Sequence, residues 1–189
     1  MLRSVAAVVA VCSMLVLAGC QGTTSVAPTP VESSDLTSSD GGFDQHAVVG
    51  VVLLAAAATP GPTSGDIALP DRFEQDLRSA GFRPDVRVAG TADPTRDQRA
   101  AVRALVRSGA KVLLVEAADP SALTGEIQTA HDAGVVVVAL GDPLPATGTG
   151  GDGVASDYRV QGTDSDAALV GRSVSVVESL QRGEKPANG

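Results

Sequence analysis

The sequence predicts an α/β fold of three layers, α/β/α, with helices on both sides of a mostly parallel sheet. Three observations carry this. From Ala47 onward, short and nearly continuous apolar runs rich in valine recur, the pattern of strands buried on both faces. The longer stretches between them place apolar residues at helical spacing. Those stretches open at Pro or Asp-Pro and close at Gly, the start and stop chemistry of helices. Strands alternating with helices imply βαβ units, right-handed crossovers and one sheet.

The elements follow in order. Residues 47–54, Ala-Val-Val-Gly-Val-Val-Leu-Leu, read as the first strand. Pro70 opens a helix with Phe73, Leu77 and Ala80 on one side and Gly81 as its stop. Val86 to Val88 form a second strand. Asp93-Pro94 opens a second helix, running through Val102, Leu105 and Val106 to Gly109. Lys111 to Val115 is the third strand. Asp119-Pro120 opens a third helix, with Leu123, Ile127 and Ala130 inward and Gly134 beyond its end. Val135 to Leu140 is the fourth strand, and Tyr158 to Gln161 a weaker edge strand. The last helix starts between Thr163 and Asp166 and carries Leu169, Val170, Val174 and Val177 toward Arg182. Phe73 and Phe82 belong to the core.

The N-terminus has a different composition. Arg3 is followed by an apolar stretch to Gly19, with Ser4 and Ser13 as its polar side chains, and the stretch ends at Leu17-Ala18-Gly19-Cys20. It is too short for a membrane span and suits a cleaved signal peptide, residues 1–19. Leu-Ala-Gly-Cys resembles the lipobox of bacterial lipoproteins, which implies that Cys20 is lipidated and becomes the first mature residue. Each buried acyl methylene contributes about 0.8 kcal/mol, so a multi-chain anchor holds the protein on a membrane surface without spanning it. The expected location is the outer face of the cell membrane.

Residues 20–46 read as a flexible stalk. Gln21 to His46 holds five Ser, four Thr, three Gly and two Pro, and neither Lys nor Arg. With residues 183–189 as a disordered tail, one folded unit over 47–182 remains, about the size of a single domain. The formal net charge is −8, and one unit more negative without Arg3. So acidic a surface argues against nucleic acid and against electrostatic docking on anionic lipid. Cys12 leaves with the signal and Cys20 takes lipid, which removes thiol catalysis, disulfides and cysteine metal sites.

In open parallel sheets, ligands bind outside the carboxyl ends of the strands. The loops expected there, 55–68, 90–92, 116–118, 141–156 and 161–163, offer Asp66, Glu116 and Asp142. Asp93, Asp119, Asp164 and Asp166 stand at the adjoining helix starts, with Gln98 one turn inside. Carboxylates suit neutral polyols, because one ionised carboxylate accepts hydrogen bonds from two neighbouring hydroxyls. Asp93 and Asp119 precede Pro and are better helix caps than ligands, and Asp164 and Asp166 can cap the last helix. Glu116 and Asp142 have no such local role and are the stronger binding candidates.

The order of these pieces resembles the periplasmic sugar-binding proteins of ABC transporters, which share a Rossmann-like lobe with LacI-like repressors. The residues that carry the resemblance are Asp93-Pro94, Gln98, Leu105 with Gly109, residues 111–115, and Asp119-Pro120-Ser121-Ala122-Leu123. Ala133-Gly134, residues 135–140, Asp142, and Asp166 with Gly171-Arg172 complete the string. It covers about residues 47 to 182 and implies the N-terminal lobe of a type I periplasmic binding protein. It further implies a sugar-like solute, a membrane permease as partner, and Asp142, Glu116, Asp93, Gln98, Asp166 and Tyr158 as ligand contacts. The chain departs from the pattern in placing Gly141 in the expected aspartate slot and Ala55-Ala56-Ala57-Ala58 after the first strand. Tyr158 is the one aromatic left to act as a stacking platform. The sequence stops where a second lobe would begin, so the expectation is a single lobe with weak sugar binding at most.

Other signals are set aside. Gly148-Thr149-Gly150-Gly151-Asp152-Gly153 matches GxGxxG but does not join the first strand to a helix, so it reads as a glycine-rich loop. No metal, cofactor or catalytic spacing is found; His46 and His131 lack partners in sequence, and His131 reads as a favourable charge near a helix C-terminus or as simply solvated. The expected class is therefore a non-enzymatic solute-binding lipoprotein of a sugar-type importer. The alternative is a non-transport lipoprotein that engages a membrane sensor.

Overall fold

A computed structural model describes residues 42–58, 67–141, 144, 155–163 and 165–186. The strands are β1 (Val48–Leu54), β2 (Arg83–Ala89), β3 (Val112–Val115), β4 (Val136–Leu140) and β5 (Tyr158–Val160). They form one sheet in the order β2-β1-β3-β4-β5, and every neighbouring pair is parallel. The helices are α1 (Leu69–Ser79), α2 (Pro94–Arg107), α3 (Thr124–Asp132) and α4 (Asp166–Gln181). Short 3₁₀ turns cover Ala55–Ala58 and Ser121–Leu123.

The two faces of the sheet have separate cores. Phe73 and Leu77 of α1 and Val170, Val177 and Leu180 of α4 bury one face with Val49, Val51 and Leu53. Val102 and Leu105 of α2 with Ile127 and Ala130 of α3 bury the other, over Val52, Leu113 and Val137. The expected three-layer α/β architecture is what forms, with Phe73 and Phe82 in the core at 0% and 4% exposure.

Sequence chemistry explains how the helices end. Gly81 has φ +94° at the end of α1, where Phe82 N–H donates to Leu77 O at 3.0 Å and Gly81 N–H to Arg78 O at 3.1 Å. That paired reversal satisfies the last helical carbonyls and needs a left-handed residue, which glycine adopts without a Cβ penalty. The same pair of bonds recurs at Gly109, Gly134 and Gly183, each with positive φ. Three of these turns deliver the chain directly into β2, β3 and β4.

Strand β2 begins three residues before the predicted Val86. Arg83 N–H bonds inward to Ala47 O at 3.0 Å, so the nitrogen of Pro84 faces outward from the edge, where its missing N–H costs nothing. Interior strand β1 contains Gly50. A Cβ there would lie 2.6 Å from Leu113 Cδ2 and 2.9 Å from Leu105 Cδ1, so these two leucines fill the space over a bare backbone. Between α2 and α3, Glu126 accepts from Arg99 Nε at 2.9 Å and from Arg103 at 3.1 Å, tying the two helices together.

The packed part is longer at both ends than predicted. Phe43 stacks obliquely against Phe82 with ring centroids 6.2 Å apart, and His46 Nδ1 lies 3.1 Å from Gly81 O. Residues 42–46, assigned to the stalk from composition, therefore pack on the fold. Glu184 N–H bonds to Ser179 O at 2.8 Å and Pro186 is buried, so the packed chain runs past Arg182. Among the described residues no helix is long and apolar enough to cross a membrane. Cys20, residues 1–41 and the glycine-rich run 148–153 lie outside the described residues.

Candidate functional site

The strand order reverses direction at β1: the chain leaves β1 to form β2 on one side and returns to form β3 on the other. In open parallel sheets ligands bind at the carboxyl ends of the strands that flank such a point, here β1 and β3. Glu116 stands there, one residue beyond β3. Its N–H continues the ladder to Val52 O at 2.9 Å, and its Oε2 accepts from Leu54 N–H, the last amide of β1, at 2.9 Å. The half-buried carboxylate thus closes the end of β1, while Oε1 has no partner among the described residues.

Gln98 is fully buried at 0% exposure, and both ends of its amide are occupied. Oε1 accepts from Ala118 N–H at 3.0 Å and Nε2 donates to Glu116 O. It therefore reaches no ligand directly and braces the loop that carries Glu116. The structure brings Gln98 and Glu116 together as neighbours.

The other candidates divide between local roles and burial. Asp93 caps α2, accepting from Arg96 N–H at 3.0 Å, as its position before Pro94 predicts. Asp93→Ala is expected to lower stability by about 1 kcal/mol, read from a urea midpoint; an unchanged midpoint would remove the capping role. Asp119 accepts from Ser121 N–H at 3.0 Å and from its hydroxyl at 2.6 Å, and that hydroxyl holds the Asp119 carboxyl below the usual carboxylate range. Asp166 is exposed in the first turn of α4, while Ser165 is the residue that caps it, accepting from Ala168 N–H at 3.3 Å.

Tyr158 corrects the sequence reading. It is 7% exposed and packs in the core beneath α1 and α4, at the start of β5 rather than at its carboxyl end. Alternation along the short strand directs its ring inward, so it is no stacking platform. Asp142, Asp66 and Asp164 lie outside the described residues. Gly141, in the slot expected for the strand-end aspartate, has φ +75°, donates to Val160 O at 2.9 Å and accepts from Arg159 Nε at 2.8 Å.

Two supporting contacts had no sequence signal. Asp97 Oδ2 accepts from Gly90 N–H at 3.2 Å and holds the loop from β2 to α2. At the opposite rim, His131 Nε2 lies 3.1 Å from Asp157 Oδ2, which also accepts from Val137 N–H at 2.8 Å. His131 is thus paired rather than solvated, and with Asp157 it lines a small recess beside Gly134, Val135 and Val136. Among the described residues no group of three or more metal-ligating side chains exists.

No family model and no curated protein matches the chain. Solved structures do. A carbohydrate transporter solute-binding protein from Chloroflexus aurantiacus, in complex with D-glucose, is 26% identical. The match covers 62% of this chain and 31% of that one, with a TM-score of 0.48. A periplasmic solute-binding protein of an ABC transporter from Actinobacillus succinogenes, with D-allose bound, is 18% identical over 59% of this chain and 37% of its own, at a TM-score of 0.47. An ABC transporter solute-binding protein from Mycobacterium smegmatis, with glycerol bound, is 21% identical over 50% and 30%, at a TM-score of 0.40. All three are described as solute-binding proteins of transporters. The chain spans roughly a third of the length of each, between 30% and 37%.

Proposed function

We propose that this chain is an exported solute-binding protein of a sugar-type ABC importer, anchored through a lipid on Cys20 to the outer face of the cell membrane. The observation that carries the reading is Glu116: a carboxylate fixed at the carboxyl ends of β1 and β3, with one oxygen held by Leu54 N–H and Oε1 uncommitted among the described residues. Such an oxygen accepts hydrogen bonds from solute hydroxyls, and a polyol with adjacent hydroxyls is the solute class it suits. The motif string from Asp93-Pro94 to Gly171-Arg172 supports the same reading, with Asp142 and Asp166 as further contacts and a membrane permease as partner.

Calorimetric titration of the native, detergent-extracted protein with D-glucose and D-allose tests it. The expected result is weak but saturable binding that Glu116→Ala weakens at least tenfold, about 1.4 kcal/mol. Binding of neither sugar, or binding that Glu116→Ala leaves unchanged, overturns it.

One observation favours a second reading. Tyr158 is buried, and Phe43, Phe73 and Phe82 pack in or against the core, so no aromatic side chain among the described residues offers a sugar-stacking face. In that reading the chain is a non-transport lipoprotein that engages a membrane sensor, and a sensor ectodomain copurifying from sugar-free membranes is its signature.

A further inference from the structure

We infer that Gln98 is the positioning residue of the Glu116 site: its buried amide sets the carboxylate on the Leu54 amide, so that the end of β1 and the candidate binding oxygen are organised from α2. This rests on the reading of Glu116 as the solute-facing group.

The argument begins from satisfiability. A glutamine amide offers one acceptor and two donor hydrogens, and at 0% exposure water cannot serve them. Gln98 uses its acceptor and one donor hydrogen on the two backbone groups that bracket residue 117, accepting from Ala118 N–H at 3.0 Å and donating to Glu116 O. Glu116 N–H is already fixed to Val52 O at 2.9 Å. The peptide groups on both sides of Glu116 Cα are therefore held, one by the sheet and one by Gln98. With its Cα–Cβ direction set, the Glu116 side chain needs only its own rotamers to reach Leu54 N–H at 2.9 Å.

Without Gln98, the backbone of residues 116–118 keeps, among the described residues, only the ladder bond at Glu116 N–H. The carboxylate would then have to pay the ordering entropy of the loop as well as of its own side chain to reach Leu54. Preorganisation of this kind raises affinity by removing ordering cost at the moment of binding, without a contact of its own. No shorter side chain from position 98 bridges both groups: asparagine has the same amide on a chain one methylene shorter, and leucine fills the volume but leaves two buried backbone groups unpaired.

The deciding measurement is amide hydrogen exchange by NMR on the full mature chain, comparing wild type with Gln98→Leu. The expected result is exchange at least tenfold faster at both Ala118 and Leu54, with Val51 and Val138 unchanged. In a Glu116→Ala background, the Gln98 substitution should add nothing at Leu54. Acceleration at Ala118 with Leu54 unchanged would confine Gln98 to its own loop and overturn the inference. Equal acceleration at all four amides would reduce it to general stability and overturn it too.

If the leucine variant does not fold, Gln98→Glu keeps the acceptor for Ala118 N–H and loses the donor to Glu116 O; faster exchange at Leu54 then supports the inference, and unchanged exchange refutes it. Sugar titration of the same variants adds the functional arm, with Gln98→Leu weakening binding at least threefold. A chain that binds neither D-glucose nor D-allose fails the proposed function, while the Leu54 amide still decides what Gln98 does.

Discussion

Gly50→Val is expected to cost about 3 kcal/mol of folding stability, the upper end of the usual penalty for overpacking a core. Gly50 lies in interior strand β1, opposite Asp85 on one side and Leu113 on the other. The new Cβ would sit 2.6 Å from Leu113 Cδ2 and 2.9 and 3.1 Å from the two δ-carbons of Leu105. Both leucines are side-chain tips that could in principle move, but they are 1% and 0% exposed and packed on every side. Valine adds two further methyls to the same crowded space, which outweighs the entropy gained by removing a glycine from a strand.

Urea unfolding of the single and double variants with Leu113→Ala checks the cause as well as the size. The double variant should cost at least 1 kcal/mol less than the two single costs combined, because alanine vacates the space that valine needs. Strict additivity would mean that the two positions do not compete. Against a total stability of about 5–15 kcal/mol for such a domain, a loss of this size is readily measured.

Asp157→Ala is the second large effect, expected at about 3 kcal/mol. The Asp157 side chain is 4% exposed, and its Oδ2 serves both Val137 N–H at 2.8 Å and His131 Nε2 at 3.1 Å. Removing it leaves the amide of Val137, itself 1% exposed, without an acceptor, and an unpaired buried donor costs about 1–3 kcal/mol. The imidazole, 16% exposed, loses its partner at the same time. Asp157→Asn keeps an acceptor for Val137 and should cost about 1 kcal/mol. His131→Ala should also cost less than Asp157→Ala, since the carboxylate still holds the strand. Equal losses for His131→Ala and Asp157→Ala in urea unfolding would show that the Val137 bond carries nothing.

What could be read from the chain, and what could not, divides along the range of the interaction. The runs at 48–54, 112–115 and 136–140 announce buried strands because valine and leucine dominate them and no polar side chain breaks in. Gly81, Gly109 and Gly134 announce helix ends because a left-handed turn needs them. Asp93 was legible as a cap from the proline after it. All of these are local.

Contacts across long separations left no trace. His131 and Asp157 stand 26 residues apart, and nothing near either one signals the other. Phe43 looked like part of a Ser/Thr-rich stalk because its partner, Phe82, is 39 residues on. Gln98 was chosen for the right region and the wrong kind of contact, since only the fold shows both amide ends turned to backbone. Tyr158 was chosen by elimination among three aromatics, and only the fold shows it buried at the start of β5. Glu116 was legible as unassigned to any cap, which is what makes it the candidate; its bond to Leu54 spans 62 residues and belongs to the fold.

The repeated glycine reversals divide the two rims of the sheet into unequal trades. On one rim, residues 80–82, 108–111 and 133–135 carry each helix into the next strand through a fixed pair of hydrogen bonds, so an added residue there must break the turn that sets the strand's start. On the other rim the chain from strand to helix is longer after two strands, from 55 to 68 after β1 and from 116 to 123 after β3, against 90 to 93 after β2, and among the described residues none of it carries such a paired reversal. Heritable change in length is therefore channelled to the rim that holds Glu116. A lineage built on this scaffold can rewrite what that rim recognises while the opposite rim keeps the strands in register.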